Sequence, residues 1–114
     1  VTLGEKQRVF TRNVAHLIAW AYDNGYELTF SDAYRSPQQA AANAAQGVGI
    51  AQSLHMLRLA VDLNLFKDGV WIKESEAHRP LGEFWKGLNP ENCWGGDFSK
   101  PDGNHYSMTH AGVK

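Results

Sequence analysis

Cysteine is nearly missing from this chain: one residue, Cys93, in 114. A single thiol closes no internal disulfide and builds no cysteine-rich zinc site. Net charge is nearly missing too. Eleven Lys and Arg stand against twelve Asp and Glu, which leaves −1 with histidines neutral. A chain that grips nucleic acid needs a basic face, so this balance argues against that task. No apolar run approaches the ~18 residues that span a bilayer, and membrane insertion is not expected. The opening Val-Thr-Leu-Gly-Glu-Lys lacks the long apolar stretch of a secretory signal, so no signal peptide is expected. Three hydrolase signatures are absent as well: the helical His-Glu-x-x-His, Gly-x-Ser-x-Gly and the P-loop.

What is there suits one ordinary folded domain. Apolar residues make up 43% and charged residues 20%, outside the range of disordered chains. A chain of this size buries roughly two-thirds of its unfolded surface, enough for one core. No repeat appears, and the small-residue stretch from Ala40 to Gly49 is too short for an interdomain linker. A single domain over 1–114, acting as a monomer, is expected.

Periodicity places the elements. Phe10, Val14, Leu17, Ile18 and Ala21 form one helical stripe, with Gly25 as its stop. Tyr26 to Ser31 is rich in β-formers and predicts a strand. Ser36-Pro37-Gln38-Gln39 has a capping serine, proline at the first helical position and glutamine at the capping-box position, so a helix starts there and fades near Gly47 or Gly49. Leu59 to Phe66 alternates: Leu59, Val61, Leu63 and Leu65 face one way, Ala60, Asp62, Asn64 and Phe66 the other. Lys67-Asp68-Gly69 is a turn, and Val70 to Ile72 the returning strand. Leu81, Phe84, Trp85 and Leu88 predict a last helix, ended by Asn89-Pro90. Cys93 to Lys114 reads as loops with one short strand around His105 to Met108. Helices with a small antiparallel sheet define an α+β class.

Chemistry is sought among five histidines. His55 and Asp62 are seven apart, an odd separation that would oppose them in one strand. His55 therefore belongs in a turn before the strand, folded back toward Asp62. An aspartate inside an apolar strand is costly unless paired or metal-bound. It equally fits a sheet edge or a salt bridge to Arg58. The second cluster is Asp102-Gly103-Asn104-His105, where Asp102 also suits a plain Pro-Asp-Gly turn. Arg35 alone would equally pair with a surface acid. His16 lies off the apolar stripe and is expected at the surface; His78 sits in a charged segment before Pro80 and is expected to be exposed or capping. His110 is a secondary candidate ligand. Cys93 reads as a small buried hydrophobe. Asp97 suits a turn cap or an orienting contact to a ligand histidine. Trp20 and Trp85 read as core, while Trp71 and Trp94 lie nearer loops, with Trp94 a candidate wall of a cleft.

Taken in order, Tyr34-Arg35-Ser36, Ser53-x-His55-x4-Ala60-x-Asp62, Trp94-Gly95-Gly96-Asp97-Phe98 and Asp102-x-x-His105 resemble the M15 zinc peptidases. These comprise D-alanyl-D-alanine carboxypeptidases, dipeptidases and phage endolysins that cut between L-Ala and D-Glu in peptidoglycan. The resemblance implies a Hedgehog/DD-peptidase-like fold. It implies Zn2+ held by His55, Asp62 and His105, with water in the fourth position. It makes Asp102 the general base, Arg35 the group that holds substrate and opposes developing charge, and Ser53 a substrate-binding residue. One departure stands out: Arg58 occupies the position where the family has a glycine that eases the turn. The implied substrate is a peptidoglycan stem peptide. The implied activity is an L-alanyl-D-glutamate endopeptidase of the endolysin type, made in the host cytoplasm and reaching the wall after release. D-Ala-D-Ala dipeptidase or carboxypeptidase activity, and a wall-binding module without turnover, are the competing expectations.

Overall fold

The computed structural model describes residues 1–45 and 53–114. Helix α1 spans Leu3–Asp23, longer at its start than the apolar stripe indicates. A capping box sets that start: Glu5 N donates to Thr2 Oγ1 at 3.1 Å and Thr2 N donates to Glu5 Oε1 at 3.2 Å. Strand β1 follows at Glu27–Asp32, then helix α2 at Pro37–Ala45. Ser36 Oγ caps α2 by accepting from Gln39 N at 3.0 Å. The expected end of α2 near Gly47 or Gly49 lies outside the described residues. A 3₁₀ turn at Leu54–Leu57 leads into β2 at Ala60–Lys67. The hairpin to β3, Val70–Ile72, turns on Asp68 and Gly69, both at positive φ as a primed turn requires. A second 3₁₀ turn at Ser75–His78 precedes α3, Arg79–Leu88.

The tail holds one strand more than its loop-like sequence indicates. Strand β4, Asn92–Trp94, pairs antiparallel with β5, His105–Met108. The sheet order is β1-β2-β5-β4, with β3 on β2 as well, and every pairing is antiparallel. This is an α+β fold. No helix among the described residues is long and apolar enough to cross a membrane.

The core lies between the sheet and the helices α1 and α3. Phe10, Leu17 and Ala21 of α1 meet Leu81 and Trp85 of α3, with Val61, Leu63 and Leu65 of β2 beneath. Trp85 is fully buried, its ring edge-on to Phe10 at 5.5 Å. Its indole N–H donates to Cys93 O at 3.0 Å and Ser107 O at 3.1 Å, which ties α3 to both tail strands. Emptying such a site by Trp→Ala costs about 3–5 kcal/mol. Burial of the odd-numbered β2 residues on the helix side leaves Asp62 and Asn64 on the opposite face.

Two expectations are corrected. His78 is buried, not exposed, because the 3₁₀ turn tucks its ring inward and Nδ1 meets Tyr106 Oη at 2.7 Å. Trp94 is also buried and walls no cleft. It lies between Gly82 and Gly96, where a Cβ on either would come within 2.2 Å of its ring.

Candidate metal centre and active site

His55 reaches the sheet because the chain turns sharply after it. Ser53 Oγ accepts from His55 N at 3.1 Å and so caps the 3₁₀ turn that carries the imidazole. Arg58 closes that turn in the left-handed region, φ 56. This is the position of the family glycine, and Arg58 adopts the left-handed conformation at a steric cost of roughly 1–2 kcal/mol. Its guanidinium stacks over the Tyr34 ring at 4.2 Å rather than pairing with Asp62.

Asp62 of β2 lies directly opposite His105 of β5 in the register. Opposed residues share a face of the sheet. The result is a convergence of three groups. His55 Nε2 lies 3.4 Å from Asp62 Oδ2, and His105 Nδ1 lies 3.2 Å from Asp62 Oδ1. The two rings meet edge to face at 5.4 Å, and Phe98 packs on the His105 ring. Burial pushes the Asp62 carboxyl up, but the hydrogen bonds and charges of His105 and His55 outweigh it and bring it to about 2. The carboxylate is therefore ionised throughout the neutral range.

The residues present fit a divalent metal. One donor atom from each of His55, Asp62 and His105 lies within 4.8 Å of the others. A cation would draw on the nitrogens that face Asp62, His55 Nε2 and His105 Nδ1, and each ring proton would then sit on the outer nitrogen. Those outer nitrogens, His55 Nδ1 and His105 Nε2, are buried with no hydrogen-bond partner from the protein. Two imidazoles and one carboxylate, with positions left open, suit catalytic zinc.

Asp102 is held beside this cluster by its backbone. Asp102 N donates to Gly95 O at 2.9 Å, and His105 N donates to Asp102 O at 3.0 Å. Gly103 O accepts from Trp94 Nε1 at 2.7 Å, and Gly103 N donates to Ser75 Oγ at 3.0 Å. The loop is thus pinned from both sides. The Asp102 residue is exposed. The atoms packed around its carboxyl still raise its pKa by desolvation, with the negative charge of Asp62 second. A raised carboxyl is the right direction for proton transfer near neutral pH.

Arg35 is joined to the same site. Its backbone N–H donates to His55 O at 3.2 Å. Its Nε and Nη2 donate to Asp32 Oδ2 at 3.2 and 2.6 Å. The pairing with an acid that the sequence allowed is real, but that acid belongs to the site: Asp32 faces Asp62 across β1 and β2. Asp32 escaped sequence reasoning because only strand pairing brings it there.

The remaining candidates lie elsewhere. His16 is exposed on α1. His110 Nδ1 stands 3.5 Å from Lys6 Nζ, outside the three-residue cluster. Asp97 pairs with Lys86 at 2.6 Å. Cys93 is half-buried, its Sγ 3.0 Å from Thr109 Oγ1.

The sequence profile of a peptidase family described as D-alanyl-D-alanine carboxypeptidase matches residues 46–108, more than half of the chain. The chain belongs to the M15 family of zinc peptidases. No curated protein sequence matches it. Two solved structures share the M15 fold with it. The L-Ala D-Glu endopeptidase ChiX of Serratia marcescens superposes with a TM-score of 0.74 at 20% identity, over 93% of this chain and 85% of that one. The vancomycin-resistance D,D-pentapeptidase VanY of a VanB-type cassette, solved as a mutant with Zn(II), gives 0.61 at 20% identity, over 89% and 71%.

Proposed function

We propose that this M15 peptidase is a zinc enzyme that cuts the L-alanyl-D-glutamate bond of peptidoglycan stem peptides. The observation that carries the reading is the His55–Asp62–His105 cluster with Asp102 pinned beside it. A wall-binding module without turnover has no need of a raised carboxyl at that place. When bound, zinc lowers the pKa of water from ~15.7 to ~7 and makes it a competent nucleophile near neutral pH. His55, Asp62 and His105 hold the metal. The Asp102 carboxylate takes the proton of the attacking water and delivers it to the leaving amine nitrogen. The guanidinium of Arg35, aimed by Asp32, holds a substrate carbonyl or carboxylate and opposes the negative charge that grows in the transition state. Ser53 keeps His55 in place, its buried hydroxyl accepting from His55 N.

The choice of bond rests on the aspartate at the base position and on the Trp94 to Phe98 segment. The extent of the overlap with ChiX favours it too. The family description favours D-alanyl-D-alanine cleavage as the second reading. Mass spectrometry of digested peptidoglycan separates them. A new D-glutamate amino terminus supports the endopeptidase, and free D-alanine or the D-Ala-D-Ala dipeptide supports the second reading. Bound zinc with no fragments released refutes both. An endolysin role, with a monomer released from the host cytoplasm onto the wall, belongs to the same reading.

A further inference from the structure

Strands β3 and β5 pair with the same edge of β2, β3 at Leu65 to Lys67 and β5 at Ala60 to Asp62. Leu63 and Asn64 fall between them with no strand opposite. Leu63 N closes instead on Asn104 O at 2.9 Å. The interruption leaves a notch of about 230 Å³, whose walls include Asn64, Trp71, Lys73, Ser75, Asp102 and Asn104. Drug-sized ligands occupy about 300–1,000 Å³, so this space suits one side chain or one carboxylate-bearing unit of a longer substrate.

Two observations join the notch to the reaction centre. Asp102 lines it. Asn64 lines it too, and stands two residues from Asp62 on the same face, a distance of roughly 7 Å along the strand. Its base is firm. His78 is buried there against Tyr106 Oη, and Ser75 Oγ holds Gly103 N.

The lining is polar and carries one asymmetry. Among the described residues that line it, Lys73 supplies the positive charge. Its ammonium lies 4.6 Å over the ring of Trp71, an indole 51% exposed. A cation held over an aromatic face loses some of the freedom of a surface lysine and stays at the rim. Asp102 and Asn104 line the same notch, and the charge of Asp102 disfavours an anion close to it.

We propose that this notch is a specificity subsite for a free carboxylate on the stem-peptide residue beside the scissile bond, with Lys73 as its counter-charge. The proposal rests on the peptidoglycan-peptidase reading. A glutamate linked through its side chain would keep a free α-carboxylate next to the bond to be cut.

The test uses two synthetic stem peptides, identical except that this carboxylate is free in one and a primary amide in the other. The zinc-loaded protein cleaves the acid with kcat/KM about tenfold above the amide, mostly through KM, as one charge-assisted contact provides. Lys73→Gln brings the acid-to-amide ratio toward one, and Lys73→Glu inverts it. Lys67→Gln, at the far end of β2, keeps the wild-type ratio. A wild-type ratio of one, or a ratio unchanged in Lys73→Gln and Lys73→Glu, overturns the subsite while leaving the peptidase reading intact. Cleavage of neither peptide overturns the L-alanyl-D-glutamate reading and the subsite with it.

Discussion

Gly95→Ala tests whether the Asp102 loop is held as tightly as its hydrogen bonds indicate. A Cβ at Gly95 would stand 2.1 Å from Asp102 O and 2.8 Å from His105 Cβ. Real Cβ atoms are essentially never found under 3.0 Å, so the Asp102 carbonyl must retreat by at least 0.9 Å. Neither neighbour is the far end of a flexible side chain. One is backbone and the other is the Cβ of His105, a proposed metal ligand. The shift also strains the bond from Asp102 N to Gly95 O. A misplacement of about 1 Å at a catalytic group costs roughly 10²-fold in rate, near 2.7 kcal/mol. The expected outcome is a fall in kcat of that order on a stem peptide, with a smaller loss of zinc affinity through His105. Gly87→Ala is the matched control, since nothing lies within 4 Å of a Cβ there. It sits in α3 and should be neutral, or stabilise by up to about 1 kcal/mol. Melting curves establish that both variants fold. A folded Gly95→Ala protein with kcat within a few-fold of wild type would refute the argument that this loop is rigidly set.

Asp102→Asn should lower kcat by roughly 10²–10⁴-fold while metal analysis still finds zinc, because the base is lost and the ligands are not. Asp32→Asn should leave zinc binding intact and lower kcat/KM about tenfold or more, since Arg35 loses the carboxylate that aims it. Adding zinc at a thousandfold excess over its Kd should raise Tm by about 10–20 °C, and a chelator should reverse the shift. Burial lowers His78 from 6.5 to about 4. The unfolded chain therefore takes up that proton first, and stability present above pH 6.5 is lost as pH falls toward 4. The loss is about 3 kcal/mol for this group. Denaturant titrations across that window should show a shallower pH slope in His78→Gln, and an unchanged slope would count against the buried neutral imidazole.

Several elements could be read from neighbouring residues alone. The α1 stripe, the Ser36 cap, the Asp68-Gly69 turn and the alternation of β2 all rest on forces within one element. Strand β4 was not legible, because three residues with only Asn92 and Trp94 fully buried show no pattern. Its pairing with β5 makes it a strand. His78 and Trp94 were misplaced for a related reason. A charged neighbourhood and a glycine-rich segment say nothing of the ring or helix that later packs on them.

The sequence by itself determined the chemistry: two imidazoles, two carboxylates and a guanidinium at spacings that mark an M15 peptidase, with His55 necessarily in a turn. Ligand type is a property of single residues, and a turn is a property of a few consecutive ones. Only the tertiary structure decided which groups meet. Register across β1, β2 and β5 sets Asp32, Asp62 and His105 on one face. Contacts from Trp94, Gly95 and Ser75 hold Asp102 beside them. Those contacts join residues far apart in the chain, and their geometry exists only once the sheet has closed over its core.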